Sequence, residues 1–373
     1  MAFAVCFRTF GAPAPLGEQA RAALLMEPGT GRVLAARNEH AKLPPASVTK
    51  IMTVLLIYDA MAEGKIKPGD LVTVSPHAAS MGGSQVYLEA MEQQSVEDLL
   101  KAVVISSAND GAVALAEFVA GSEEGFVAMM NSRAEGLGME DTRFVNCCGL
   151  PAAGHASSAY DIALMTRELI NKYPQVLDIS KIWMDTITHK TARGEEVFGL
   201  SNTNKLIRAY QGATGLKTGS TDEALFCVAA TASRDGLSLI SVILGAPDSA
   251  TRFGEAIKLF DYGFANFKVA EGRPAGDPAG TIKVFKGSRE EVPIEVKERV
   301  AAVVEKSNSK AMESRVETLP GLSAPVEAGA KAGEIIYTFE GEEVGRSDLV
   351  TAEAAGRAGL ADMMNRLFYE WVS

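Results

Sequence analysis

The sequence is poor in the residues that hold metals and disulfides, with 4 cysteines and 4 histidines in 373 residues. Cys6, Cys147, Cys148 and Cys227 show no C-x-x-C spacing, so no zinc site is expected and no metal ligand is assigned. Cys147, Cys148 and Cys227 read instead as small buried thiols. Positive charge is also scarce. Acidic residues outnumber basic ones 47 to 36 and no basic cluster stands out, which argues against nucleic acid as a partner. No run of about eighteen apolar residues occurs, so no segment is expected to span a membrane by itself.

What is present fits a globular protein with a large core: 47% hydrophobic and 22% charged residues, in a chain long enough for two domains. The first residues, MAFAVCF, are apolar but short and lack a basic start, while APAP at 12–15 offers small residues of the cleavage type. Residues 1–19 are read as the remnant of a secretory signal or as a short atypical one. Residues 20–37 predict a hairpin around Pro-Gly-Thr-Gly. Residues 96–105 and 111–120 predict two helices flanking the polar loop SSAND, and 224–246 predicts two strands joined at Asp235-Gly236. A helix over 249–266 closes this first domain, 20–270. The Pro/Gly-rich stretch 271–280 reads as a linker. Short alternating stretches over 278–350 then predict a small all-β domain, with an amphipathic helix over 355–373.

Chemistry begins at PPASVTKIMTVLLIYDAM, residues 44–61. Pro45 suits a first helical turn, and the apolar run behind it belongs inside a domain. Ser47 and Lys50 lie at i and i+3, on one helix face. Serine needs a base to become a nucleophile, and lysine serves only if its pKa falls well below about 10.4. Burial and a second cation would each lower it. Alone, S-x-x-K is a weak signal. SSAND adds Ser107 and Asn109 in a loop, where a hydroxyl and an amide can enter a cleft. GLKTGST adds Lys217 as the second cation, Thr218 as a donor to a carboxylate, and Gly219, whose missing side chain lets a substrate backbone approach. S-x-x-K, S-x-N and K-T-G in this order form a strong joint signal.

With these motifs the chain resembles a low-molecular-mass penicillin-binding protein, a serine-type D-alanyl-D-alanine carboxypeptidase. PPASVTKIMT, GGSQVYLE (82–89), FVNCCGLP (144–151), HASSAYDIALM (155–165) and NTNKL (202–206) carry the resemblance over most of residues 20–265. It implies an α/β fold: a serine β-lactamase/transpeptidase-like domain, an antiparallel sheet with helices, followed by the small all-β domain. It implies that Ser47 attacks the peptide bond between two D-alanines of a peptidoglycan stem pentapeptide, with Lys50 as base. Ser107 and Lys217 would protonate the leaving D-alanine, and water would hydrolyse the acyl-enzyme. The backbone N–H groups of Ser47 and Ser220 would form the oxyanion hole, worth about 3–4 kcal/mol. Asn109 would hold the peptide, and Thr218 the terminal carboxylate. Arg252 is a weaker candidate for that carboxylate and could equally be a surface charge at a helix start. β-Lactam antibiotics would occupy the same groups. No cofactor is implied, and the implied location is outside the cytoplasmic membrane, at the cell wall.

Two positions depart from the family pattern. Ser220 replaces an aromatic residue or histidine, and Leu225 in EALFC stands where a glycine is usual, so that a bulky group could narrow the cleft. Two rival readings follow. A class A β-lactamase shares the motifs but needs a loop glutamate for deacylation. Glu168 falls in a helical stretch, Glu195-Glu196 falls in a Gly-flanked turn, and the extra β domain does not fit. A catalytically weak penicillin- or peptidoglycan-binding protein is the other rival, kept in view by Leu225. His155 is expected to bond loop backbone rather than catalyse. Asp161 is expected to order the start of a helix.

At the C-terminus, Leu360, Met363, Met364, Leu367, Phe368 and Trp371 form one helical stripe, opposite Asp362, Arg366 and Glu370. Resemblance and amphipathicity together imply a peripheral helix on the membrane surface. Acidic residues outnumber the arginine, so binding should be modest, driven by apolar area and little affected by salt. Co-sedimentation with liposomes should therefore pellet the full chain in excess of a chain ending at Gly359. Equal pelleting would remove the anchor.

Overall fold

A computed structural model describes residues 16–191, 194–307, 311–360 and 364. The chain divides into two compact units between Ala265 and Asn266. In the first, β1 (Ala22–Met26) and β2 (Val33–Arg37) form the expected hairpin. A 3-10 turn, Ala46–Thr49, leads into α1 (Lys50–Ala62). Next come β3 (Leu71–Thr73), α2 (Pro76–Ala79), β4 (Gln93–Ser95) and α3 (Val96–Ile105). The helices α4 (Asn109–Ala120), α5 (Glu123–Gly136), α6 (Ala159–Lys172) and α7 (Val176–Ser180) follow. A second hairpin, β5 (Met184–Thr191) and β6 (Gly194–Ser201), precedes α8 (Leu206–Ala209). The unit ends with β7 (Ala213–Thr221), β8 (Leu225–Arg234), β9 (Leu237–Ala246) and α9 (Ser249–Asn266).

Serine caps set several helix starts. Ser95, Ser122 and Ser158 each accept a backbone N–H from the first turn of α3, α5 and α6. The central sheet is antiparallel, in the order β2-β1-β9-β8-β7. Its side chains alternate between two cores. Leu24, Met26, Val242 and Leu244 join the main core with α1, while Gly263 of α9 lies close against Leu25 and Leu239 on the other face. Only Asp59, Met61 and Ala62 of α1 escape burial. A helix apolar on nearly every side needs that enclosure, because most of its stability comes from packing.

In the second unit β10 (Phe267–Glu271) is followed by β11 (Pro278–Phe285), β12 (Glu291–Val296), β13 (Ala301–Glu305) and β14 (Glu313–Thr318). Then come β15 (Leu322–Ser323), β16 (Lys331–Phe339) and β17 (Glu342–Thr351). One sheet runs β14-β16-β17-β12-β11-β15 and a smaller one pairs β10 with β13. Ile282, Val284, Val292 and Ile294 turn inward at alternate positions, the period read from the sequence.

The stretch 271–280 is not a linker. Gly276 N–H donates to the Val296 carbonyl and Arg273 pairs with Asp277, so it is a turn inside the second unit. Proline and glycine mark tight turns as readily as domain boundaries. Glu195 and Glu196 also depart from expectation, lying in β6 rather than in a turn. The helix expected over 355–373 does not begin at 355: Ala355 and Arg357 form isolated antiparallel bridges with Val326 and Gly287, and most of the remaining stretch falls outside the described residues.

One glycine fixes how the 3-10 turn meets the neighbouring loop. Gly149 has φ +83°, and a Cβ there would lie 1.9 Å from the Ala46 carbonyl oxygen. Gly149→Ala combines left-handed backbone strain with overpacking and should cost about 2–5 kcal/mol. Urea denaturation should show it as a lowered midpoint. An unchanged midpoint would mean that the two segments move apart freely.

Candidate active site

Ser47 stands on the 3-10 turn, half-buried, immediately after Ala46, whose φ of +49° is unusual for a residue with a side chain. One turn on, Lys50 is fully buried. Its ammonium has three protons and three acceptors: Ser47 Oγ at 3.0 Å, Asn109 Oδ1 at 2.5 Å and the Cys148 carbonyl at 2.8 Å. Burial pushes the Lys50 pKa below the ordinary lysine value, against the pull of Cys148, Cys147 and Asp110. A lysine eased toward neutrality, in hydrogen-bond contact with a serine hydroxyl, can accept its proton.

The helix α4 starts earlier than its periodicity indicated, with Asn109 as its first residue. Asn109 is held in place by its N–H on the Ser84 carbonyl (2.7 Å) and its Nδ2 on the Gly82 carbonyl (2.6 Å). Ser107 has a left-handed backbone (φ +64°), and its buried Oγ has no partner. A buried hydroxyl without a partner calls for a functional account, since such groups are normally satisfied.

Lys217 is buried on β7, where Nζ donates to the Thr218 carbonyl at 3.2 Å. Burial, with repulsion from Lys50 and Arg252, holds its pKa well below the usual lysine range. Burial is the largest cause at both lysines, and the repulsion between the two cations adds to it. Thr218 donates its hydroxyl to Thr203 Oγ1 at 2.7 Å. A Cβ on Gly219 would lie 2.7 Å from the Ser47 nitrogen. The backbone that needs this glycine is thus the chain's own turn at Ser47, in addition to any substrate. Ser220 follows it, exposed on β7.

Arg252 is buried on α9 and is no surface charge. Its Nη1 donates to the Gly219 and Cys227 carbonyls, each at 3.2 Å, and its guanidinium lies over Phe253. Burial lowers its pKa to about 10, and its Nε has no partner. Leu225 begins β8 opposite Thr221 with φ +55°, a conformation that explains why glycine suits the position.

Three supporting residues carried no individual prediction. Asp110 accepts the N–H groups of Val86 (3.1 Å), Leu88 (3.0 Å) and Gly111 (2.9 Å), which fixes the 82–89 segment beside Asn109. Asn146 Oδ1 accepts from Cys148, Gly149 and Leu150, shaping the loop that offers a carbonyl to Lys50. Thr203 meets Thr218. All three stand inside quoted motifs, Asp110 closing SSAND, Asn146 in FVNCCGLP and Thr203 in NTNKL. Glu168 is ion-paired with Arg133 at 2.5 Å within α6, which leaves the lactamase reading without its loop glutamate. Asp161 stands in the first turn of α6, but Ser158 caps that helix; the Asp161 carboxylate instead ties down the preceding segment, accepting from Asp141 N–H and Thr142 Oγ1.

Fold and site together define a serine hydrolase of the penicillin-binding class. A family profile described as D-alanyl-D-alanine carboxypeptidase matches residues 9–248, and one described as penicillin-binding protein 5, C-terminal domain, matches residues 267–357. The chain is 37% identical to D-alanyl-D-alanine carboxypeptidase DacF of Bacillus subtilis, over 95% of this chain and 91% of the relative. It is 34% identical to DacC of Escherichia coli, over 94% and 89%. Penicillin-binding protein 5 of Haemophilus influenzae superposes with a TM-score of 0.75 at 28% identity, covering 93% of this chain and 100% of that one. PBP3 of Streptococcus pneumoniae gives 0.77 at 28%, covering 91% and 100%. The chain belongs to the D-alanyl-D-alanine carboxypeptidase family of low-molecular-mass penicillin-binding proteins, as a serine-type carboxypeptidase.

His155 proves to be structural. Nδ1 accepts the Val145 N–H at 3.0 Å, so the proton sits on Nε2 and is given to Thr49 Oγ1 at 2.8 Å. Protonating Nδ1 would set a donor against a donor. Burial lowers the His155 pKa from 6.5 to about 4. Between these values the unfolded chain binds the extra proton, so stability is complete above pH 6.5 and is lost as pH falls toward 4, by about 3 kcal/mol. Denaturation across this range should show a shallower acid loss in His155→Asn than in the unmodified protein. Equal slopes would assign the acid sensitivity elsewhere.

Proposed function

We propose that this chain removes the terminal D-alanine from peptidoglycan stem pentapeptides by an acyl-enzyme route centred on Ser47. The observation that carries the reading is Lys50, fully buried, with its Nζ 3.0 Å from Ser47 Oγ and a second contact to Asn109. Lys50 in its neutral form takes the Ser47 proton as Oγ attacks the carbonyl between the two D-alanines. The N–H groups of Ser47 and Ser220 receive the developing oxyanion. Ser107, with an unengaged hydroxyl, passes a proton to the departing amine with Lys217 supporting its transfer. Asn109 positions the peptide. Thr218 takes the terminal carboxylate, exchanging its present bond to Thr203. Arg252 acts from behind the strand, holding the Gly219 carbonyl and so the line of β7. Water then releases the shortened peptide. A β-lactam offers the same carbonyl and carboxylate and acylates the same serine.

The place of action is the outer face of the cytoplasmic membrane and the cell wall, where the substrate lies. Export through the N-terminal segment and peripheral membrane contact through the C-terminal helix complete this reading.

Penicillin labelling and D-alanine release from a pentapeptide test the reading together. Ser47→Ala should abolish both. Lys50→Arg, which keeps a charge that does not dissociate near neutral pH, should slow acylation by about 10³-fold or more, with the fold verified by circular dichroism. Drug mapped to Ser106 or Ser107, or an active Lys50→Arg enzyme at pH 7, would refute the assignments. Labelling without D-alanine release would leave a penicillin-binding protein of weak activity.

A further inference from the structure

In the loop whose Cys148 carbonyl accepts from Lys50, the structure gathers a group that the acyl-transfer chemistry does not use. Cys147 and Cys148 are both fully buried, with their sulfurs 3.7 Å apart. Glu123, the first residue of α5, brings a carboxylate to the same point, and the ligand atoms of the three residues all lie within 4.8 Å of one another. The carboxylate is itself positioned: Oε1 accepts the Cys147 N–H at 3.0 Å, and Oε2 meets Nε2 of the exposed His77 at 3.0 Å.

We propose that Cys147, Cys148 and Glu123 form a binding site for one thiophilic divalent ion of the zinc class, with His77 holding the carboxylate from outside. Two thiolates bonded to tetrahedral zinc at about 2.3 Å stand about 3.8 Å apart, close to the separation of these sulfurs. Binding displaces one proton from each thiol to solvent and leaves two thiolates and a carboxylate around the ion. Water would supply the fourth ligand. A sequence search for paired cysteine motifs passes over this arrangement, because the cysteines are adjacent and the carboxylate comes from another helix.

The location gives the site a consequence for the enzyme. The Cys148 carbonyl is an acceptor of Lys50, and the Cys147 carbonyl is the acceptor of Thr53 Oγ1 on the same helix. The residues that would hold the ion thus also carry the carbonyls that hold Lys50 and Thr53, so metal occupancy and lysine position are mechanically linked.

Zinc alone is the probe, added to the full chain carrying Cys6→Ser so that the N-terminal thiol does not compete. One equivalent should survive desalting, and cadmium in its place should give the ultraviolet charge-transfer band of two thiolates. Cys147→Ser with Cys148→Ser should abolish binding, and His77→Ala should weaken it about ten- to hundredfold. Should the double serine variant fail to fold, Glu123→Gln serves instead, since its amide oxygen still accepts the Cys147 N–H; weaker zinc binding is expected. No stoichiometric zinc, or an affinity unchanged in the serine or glutamine variants, overturns the proposal. Neither readout depends on peptidase activity.

Discussion

An ammonium group sealed from water must find an acceptor for each of its protons, and Lys50 sets that condition for the whole first unit. Its three acceptors come from Ser47, Asn109 and Cys148, separated from it by 3, 59 and 98 residues. A charged donor left unsatisfied at this depth would cost several kcal/mol, so three distant segments are obliged to meet. Each arrives with its own fixings. Asn146 gathers the backbone of the Cys148 loop, the Gly82 and Ser84 carbonyls hold Asn109, and Gly149 and Gly219 clear room around the turn of Ser47. The polar site is one interlocked object rather than a set of residues placed separately.

The same burial serves chemistry and strains stability. An ordinary surface lysine is charged at neutral pH and useless as a base. The apolar wall of α1 and its neighbours lowers the pKa of Lys50, and the cost of that desolvation is offset by the large core the helix helps to build. Lys217 extends the argument across the cleft. Two cations and Arg252 crowd together without a paired carboxylate, and their repulsion adds to burial in lowering the Lys217 pKa. A group in that condition gains from an arriving anion, which fits a substrate that ends in a carboxylate.

Much of this was legible in the sequence because it resides in side chains at set spacing. Ser47 and Lys50 three residues apart, the helix over 96–105, the Asp235-Gly236 hairpin and the alternation of the second unit are periodic or local signals. The remainder depends on the main chain. The Cys148 carbonyl that receives Lys50 has no side-chain signature, and Gly219 looks like a gap for substrate until the Ser47 nitrogen is found beside it. Arg252 at the start of an amphipathic helix resembles a solvated charge. Its burial arises because β7 and β8 present two carbonyls there. The stretch 271–280 misled for a related reason: composition records that the chain turns, without recording whether a domain ends.

The left-handed backbone at Ala46 carries a further consequence, for the timing of activity. That conformation costs about 1–2 kcal/mol for a residue with a Cβ and persists only where surrounding structure imposes it. The segments that impose it, around Gly149 and Gly219, lie far along the chain. Until they have packed, Ser47 is an ordinary serine beside an ordinary charged lysine. A chain only half folded is chemically silent, and the nucleophile comes into being only once these long-range contacts have formed.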